Sequence, residues 1–289
     1  MLIKVKANAK INLMLDILSK MDNGYHNLFM VMQSVDLHDI ITVSQTKTKK
    51  IEITCKTKGI PTDKTNIAYK AAQNFFESTG IKNDGIIIDI EKHIPHAAGL
   101  AGGSADGAAV VKALDEMHGT KLCESEMIAI CKKFGSDIPF CAIGGTMLAQ
   151  YDGTVISHLP SLDMKHIIIV KPNQAVSTGT AYSEFDNARI VRHLHTQGML
   201  KAVIENDMQE IYTLCGNVFE QFIEVADRVP IKATMKDFGA KCTCMSGSGP
   251  SVFGVFEDEK QAKLCYEKLK TAFPETFLCS SVKHGCEIV

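Results

Sequence analysis

Surplus charge of either sign is what this chain lacks: 31 Lys and Arg stand against 33 Asp and Glu in 289 residues, a formal net charge of -2. A nucleic-acid partner calls for a basic excess that displaces counterions, and an interaction tail calls for a block of about five or six like charges; neither is present. No apolar run of about 18 residues or more occurs, so no membrane-spanning helix is predicted. Lys4 and Lys6 fall where the apolar core of a secretion signal would have to lie, and a cytoplasmic protein with neither nucleic-acid nor membrane partners is expected. The ten cysteines include no Cys-x-x-Cys pair, which removes both a disulfide framework and a zinc ribbon from consideration. Cys242 with Cys244, and His193 with His195, have the spacing of one strand face, but they are read as buried or solvated side chains before metal ligands. Also missing is a Gly-Lys-Ser/Thr after any glycine-rich turn, which excludes a P-loop. The acidic strand pattern of a dinucleotide fold is missing too.

With 45% hydrophobic and 22% charged residues, the composition is that of an ordinary globular chain long enough for two domains. The most informative stretch is Lys92-His-Ile-Pro-His-Ala-Ala-Gly-Leu-Ala-Gly-Gly-Ser-Ala-Asp106. It runs from an Ile-rich strand through a glycine-rich turn into an alanine-rich helix starting near Ser104. Such a turn lets a ligand approach the backbone closely, and the helix presents unpaired N–H groups and the positive end of its dipole. A tight connection with no ligand has the same local sequence, so the remaining motifs must decide.

Alternation and turn signals predict strands at about 2–8, 9–18, 28–37, 40–45, 50–56 and 85–92, with a helix over 65–78. A helix from Ser104 carries apolar residues at 109, 110, 113, 114 and 117, one buried stripe. A short helix at about 124–133 and a strand-rich stretch over 144–157 follow. The second half is predicted as a strand at 166–171, helix between about 178 and 238, strands near 241–245 and 251–256, a helix at 259–271 and a strand at 276–283. The Asp152-Gly153 turn and Pro160 to Asp163 mark a boundary near 158, giving domains 1–158 and 159–289. Strands first, then helices, with strands returning at the end, indicate an α+β architecture.

Four places could carry chemistry. In the strand over 9–17, alternation puts Lys10 and Asn12 side by side on the polar face; a merely solvated face is the competing reading. Asn23-Gly24 is a hairpin signal, followed directly by Tyr25 and His26, which are either surface aromatics or a ring pair at a cleft mouth. Asp137, in Gly135-Ser-Asp-Ile-Pro139, falls at a turn, where a local cap is the plainer role. Ser246-Gly-Ser-Gly-Pro250 is a second glycine-rich loop, which alone would be a turn.

Together these elements resemble the galactokinase, homoserine kinase, mevalonate kinase and phosphomevalonate kinase superfamily. The matching pieces, in family order, are Ala9 to Leu13 with Asp22 to His26, Ile94 to Ser104, Gly135 to Pro139, Val170-Lys-Pro172 with Ser177-Thr178, and Ser246 to Phe253. Gly24-Tyr-His26 favours the member acting on a cytidine-diphosphate alcohol. The resemblance implies an N-terminal domain like domain 2 of ribosomal protein S5, a C-terminal ferredoxin-like domain and an active site in the cleft between them. It implies transfer of the γ-phosphate of ATP to the 2-hydroxyl of 4-diphosphocytidyl-2-C-methyl-D-erythritol in the non-mevalonate isoprenoid pathway.

By the same resemblance, Asp137 and Lys10 are the catalytic pair and Asn12 lies on the substrate side. Tyr25 and Tyr182 stack the cytosine, and His26 bonds its edge. Lys92 and the loop Pro95, His96, Ala97, Ala98, Gly99, Leu100, Ala101, Gly102, Gly103, Ser104 and Ala105 hold ATP. Mg2+ comes with the ATP, its protein ligands unassigned. Ala101 stands where many relatives have glycine and Ala105 where serine is common; Asp106 beside the phosphates is repulsive unless a metal intervenes. Another superfamily member, or a catalytically silent nucleotide-binding regulator, are the alternatives. The aromatic pair argues against the first and retention of both Lys10 and Asp137 against the second. Oligomeric state leaves no mark in the sequence.

Overall fold

In the computed structural model, which describes residues 1–289, the first half contains β1 (Leu2–Lys20), β2 (His26–Gln45), β3 (Ile51–Cys55), α1 (Ile67–Thr79), β4 (Ile86–Glu91), α2 (Gly102–His118), α3 (Glu124–Cys131), α4 (Ile138–Ile143), β5 (Thr146–Tyr151) and β6 (Val155–His158). Then come β7 (His166–Val170), α5 (Thr178–Asn187), α6 (Thr196–Glu205), α7 (Met208–Leu214), β8 (Gly216–Asn217), a 3-10 turn (Val218–Gln221), α8 (Arg228–Asp237), β9 (Cys242–Met245), β10 (Val252–Phe256), α9 (Glu259–Ala272), β11 (Thr276–Cys279) and β12 (Cys286–Ile288). The expected α+β architecture is present.

One sheet has the order β12-β1-β2-β4-β3, with β5 on β2, β6 on β5 and β8 on β1. Its long ribbon, β1 against β2, replaces the two pairs of shorter strands expected there. Register shifts at Asn8/Ala9, Asn12/Met14 and Ile17/Ser19 let it bend without breaking. Helix α2 packs on both β1 and β2, and α1 packs on α2. Gly107, which costs helix stability by itself, is explained by that packing: a Cβ there would lie 2.7 Å from the Ile67 side chain.

The second sheet, β11-β7-β10-β9, is antiparallel throughout. The chain order β7, α8, β9, β10, α9, β11 is the split βαβ arrangement of a ferredoxin-like unit. The unbroken apolar run in β7 follows from coverage of both its faces. Ile168 and Val170 pack with Ile231, Met235, Ala262 and Leu269, while Ile167 and Ile169 enter the main core. That core draws on both halves of the chain, joining Ile11 and Phe75 to Met199, Phe219 and Phe253.

Several expectations are corrected. The helical segment between about 178 and 238 is four helices separated by turns and the short β8. Helix α4 and strand β12 were not anticipated at all. β12 pairs antiparallel with β1 through Val5↔Ile288 and Ala7↔Cys286, so the chain's last strand lies in the first sheet and crosses the seam expected near 158. Cys242 and Cys244 are both buried. No helix is long and apolar enough to cross a membrane.

Candidate active site

Lys10 and Asn12 sit between two of the register shifts in β1, and the solvated face imagined for them does not exist: they are 3% and 0% exposed. A buried ammonium needs partners. Lys10 Nζ donates to Asn12 Oδ1 at 2.7 Å and lies 3.8 Å from Asp137 Oδ2. The same Asn12 oxygen accepts from Gly247 N at 2.9 Å. Asn12 thereby ties Lys10 to the second glycine loop.

The two glycine loops touch. Ser246 Oγ donates to Gly99 O at 3.0 Å, and Lys10 N donates to Leu100 O at 3.1 Å. Only glycine fits at 99, where φ is +75° and a Cβ would lie 2.1 Å from Ser246 O. Asn217 Nδ2 donates to Met245 O and Gly247 O, at 2.8 and 2.7 Å, fixing the second loop from beneath. In the first loop Ala101 adopts φ 59°, a left-handed conformation, and forms the N-cap of α2 without a side-chain cap. The helix thus begins at Gly102, two residues earlier than expected.

Asp137 precedes α4, and its backbone oxygen accepts from Cys141 N at 3.0 Å while its carboxylate caps nothing. The plainer capping role is not what its side chain does. The carboxylate is one-third exposed and faces the Lys10 ammonium. It also acts on Tyr182, whose phenol is pushed up first by burial and then by Asp137.

His26 stacks directly on Tyr182, centroids 4.7 Å apart, and its Nε2 donates to Asp186 Oδ1 at 2.7 Å. Tyr182 meets Phe219 edge-on. One face of Tyr182 is thus already covered by His26, whereas Tyr25, 60% exposed, has its ring free.

Beneath the first loop Lys92 Nζ donates to Asp39 Oδ2 and, at 2.8 Å, to Asp106 Oδ2. Burial works against the Lys92 charge, but Asp106 and Asp39 more than offset it and its pKa is raised. Burial raises the Asp106 carboxyl to about 8; Lys92 opposes that rise and Asp39 adds to it.

These parts enclose one cavity of about 890 Å³. Lys10, Tyr25, His26, Lys92, Asp137 and Tyr182 border it, as does the first loop from Pro95 to Ser104 except Leu100. Leu100 and Ala105 are turned into the core, 1% and 0% exposed, so neither side chain can meet a ligand. Sequence reasoning missed Ser136, Asp152, Thr178 and Ser248 on the same wall. The Asp152-Gly153 signal was taken for a boundary only, and Ser248 lay inside a motif already noticed.

A helix N-terminus under a glycine loop and a lysine facing a carboxylate are parts that phosphoryl transfer uses, and both halves of the chain match small-molecule kinases of the GHMP type. Residues 66–145 match the GHMP kinase N-terminal domain and residues 199–275 the GHMP kinase C-terminal domain. The chain is 39% identical over 282 residues to the 4-diphosphocytidyl-2-C-methyl-D-erythritol kinase of Clostridium botulinum, covering 96% of this chain and 99% of that protein. It is 41% identical over 282 residues to that of Acetivibrio thermocellus, covering 97% and 99%. Among solved structures, a 4-(cytidine 5'-diphospho)-2C-methyl-D-erythritol kinase superposes with a TM-score of 0.78 at 25% identity, covering 96% and 98% of the two chains. Homoserine kinase from Cytophaga hutchinsonii superposes at 0.80 with 21% identity, covering 100% and 97%, and shares the fold. The chain belongs to the 4-diphosphocytidyl-2-C-methyl-D-erythritol kinase family.

Proposed function

We propose that this chain transfers the γ-phosphate of ATP to the 2-hydroxyl of 4-diphosphocytidyl-2-C-methyl-D-erythritol, a step of non-mevalonate isoprenoid synthesis. The observation that carries the reading is the Lys10–Asp137 pair, 3.8 Å apart on the wall of a cavity that both glycine loops border. Phosphoryl transfer has a loose transition state, so catalysis is mostly positioning and charge stabilisation. Asp137 accepts the hydroxyl proton as the oxygen attacks. Lys10, held by Asn12, stabilises charge on the transferring group.

The loop from Pro95 to Ser104 and the N-terminus of α2 receive the ATP phosphates. Cytosine stacks on Tyr25, with the His26–Tyr182 pair as the opposite wall. With Nε2 of His26 engaged by Asp186, Nδ1 is the ring nitrogen left to meet the edge of cytosine. No group of three or more His, Cys, Asp or Glu side chains converges to hold a metal ion. An all-protein metal cage is therefore not what this site offers; Mg2+ would enter with ATP, adding at most one or two side chains to phosphate oxygens and water. The working unit divides near residue 158, with β12 returning to the first sheet, and its free cysteines suit the reducing cytoplasm.

The test is ADP release in a coupled assay with MgATP and 4-diphosphocytidyl-2-C-methyl-D-erythritol, alongside homoserine and mevalonate. Saturable turnover with the cytidine compound alone is the expected result. Turnover with either of the others, or none in protein that binds ATP, overturns the reading.

A further inference from the structure

Lys92 is one ammonium between two carboxylates. Its side chain and those of Asp39 and Asp106 are 6%, 0% and 5% exposed. With both carboxylates ionised, this buried group would carry a net negative charge directly beside the loop read as the seat of the ATP phosphates. Burying an unbalanced charge is strongly unfavourable, and phosphate nearby makes it more so.

The two carboxylates are not equivalent. Asp39 is saturated with donors: Oδ1 accepts from the backbone N of His93 and, at 2.8 Å, of Ile94, and Oδ2 accepts from Lys92. That is the surrounding of an ionised carboxylate. Asp106 receives Lys92 on Oδ2 and nothing on Oδ1, which is buried without a partner in a side chain that borders the cavity. A proton belongs on the carboxyl that has fewer donors and a like charge beside it. Placed on Oδ1, it converts an orphaned acceptor into a donor at the N-terminus of α2.

We propose that Asp106 serves the phosphate loop as a neutral carboxylic acid, its Oδ1–H donating a hydrogen bond to a phosphate oxygen of bound ATP. The inference rests on the reading that this loop holds the ATP phosphates. The charged groups acting on Asp106 are Lys92 at the end of β4 and Asp39 on β2. From β12 the Cys286 thiol, kept protonated by burial, feels Asp106, and α1 brings the apolar Ile67 and Ala71 against the adjacent Gly107.

The sign of the pH dependence follows. The carboxyl is already raised in the free protein, to about 8, and an adjacent polyanion favours its neutral form further. At neutral pH the proton is in place before ATP arrives. Above that value the free protein has released it, and binding must draw one proton from the buffer onto Oδ1. ATP affinity therefore holds at neutral pH and falls as pH rises through the free-protein value, by up to about tenfold per pH unit.

Isothermal titration with ATP, without the acceptor substrate, tests this at about pH 9, one unit above that value, in two buffers of different ionisation enthalpy. The wild-type protein is expected to take up close to one proton per ATP bound. Asp106→Asn, which keeps a donor but cannot titrate, should take up none and show affinity that is flat with pH. Asp106→Ala should bind ATP about tenfold more weakly at neutral pH, the loss of one hydrogen bond to a charged group, with Asn restoring most of that loss. Equal proton uptake in the wild type and Asp106→Asn would overturn the proposal. So would a higher Mg2+ requirement in Asp106→Asn, which would make Asp106 a metal ligand. Wild-type protein that fails to bind ATP at neutral pH would instead overturn the assignment of the loop. Circular dichroism of each variant separates lost binding from lost folding, and the isosteric Asn comparison stands if the Ala variant does not fold.

Discussion

Lys10 donates its Nζ hydrogen to Asn12 Oδ1 at 2.7 Å, and that oxygen is shared with the backbone N–H of Gly247. One amide thus sets the position of the ammonium and of the second glycine loop together. Asn12→Leu removes the acceptor and leaves two buried donors unsatisfied, a destabilisation of about 1–3 kcal/mol. The expected outcome is a lower midpoint in urea unfolding and a kcat reduced about tenfold, with the KM for ATP changed less. A variant as stable and active as the wild type would show that Lys10 is held by Asp137 alone.

Asp137 carries the carboxylate that faces the buried Lys10 ammonium. Asp137→Asn should therefore lower the melting temperature somewhat, by leaving that ammonium without its counter-charge, and lower kcat by about 10²-fold or more, the range of a general base. ATP binding should be largely retained. Near-normal turnover removes Asp137 from the mechanism.

Tyr25 is exposed in the free protein and supports no core. Tyr25→Ala is expected to raise the KM for the cytidine substrate by about tenfold, the worth of one stacked base, and to leave that for ATP nearly constant. Equal changes in both constants would contradict a stacking role.

Two positions in the first loop test backbone strain in opposite directions. Gly99→Ala forces a Cβ to within 2.1 Å of Ser246 O at φ +75°, and a loss of roughly 2–5 kcal/mol is expected from strain and overpacking together. Ala101 already carries a left-handed conformation at φ 59°. Ala101→Gly should relieve it and stabilise by about 1 kcal/mol. Thermal unfolding of both variants checks the pair, and stabilisation by neither or both would refute the strain account.

Local signals made much of this legible. Glycine spacing, the Asn-Gly turn and the period of α2 depend on neighbours in sequence, and each corresponds to the element found. What was missed depends on residues far apart. The partners of His26 are an example: Asp186 and Tyr182, some 160 positions on, take its Nε2 and one face. Alternation put Lys10 and Asn12 on a polar face correctly but could not reveal that the face is buried. Helix α4 is too short for periodicity to register, and the three residues of β12 gain their identity only from the edge of β1.

The pairing of β12 with β1 bears on how the chain acquires its shape during synthesis. Asn8, two positions before Lys10, donates its backbone N to Gly285 O and its Nδ2 to His284 O, both at 2.8 Å. These partners leave the ribosome after all the elements from β2 to β11. Until they emerge, one margin of the strand bearing Lys10 stays open, with unmet backbone groups of the kind that invite wrong pairings. The nascent chain therefore cannot clasp this strand by stages as it lengthens; Asn8 waits for a partner made 276 residues later.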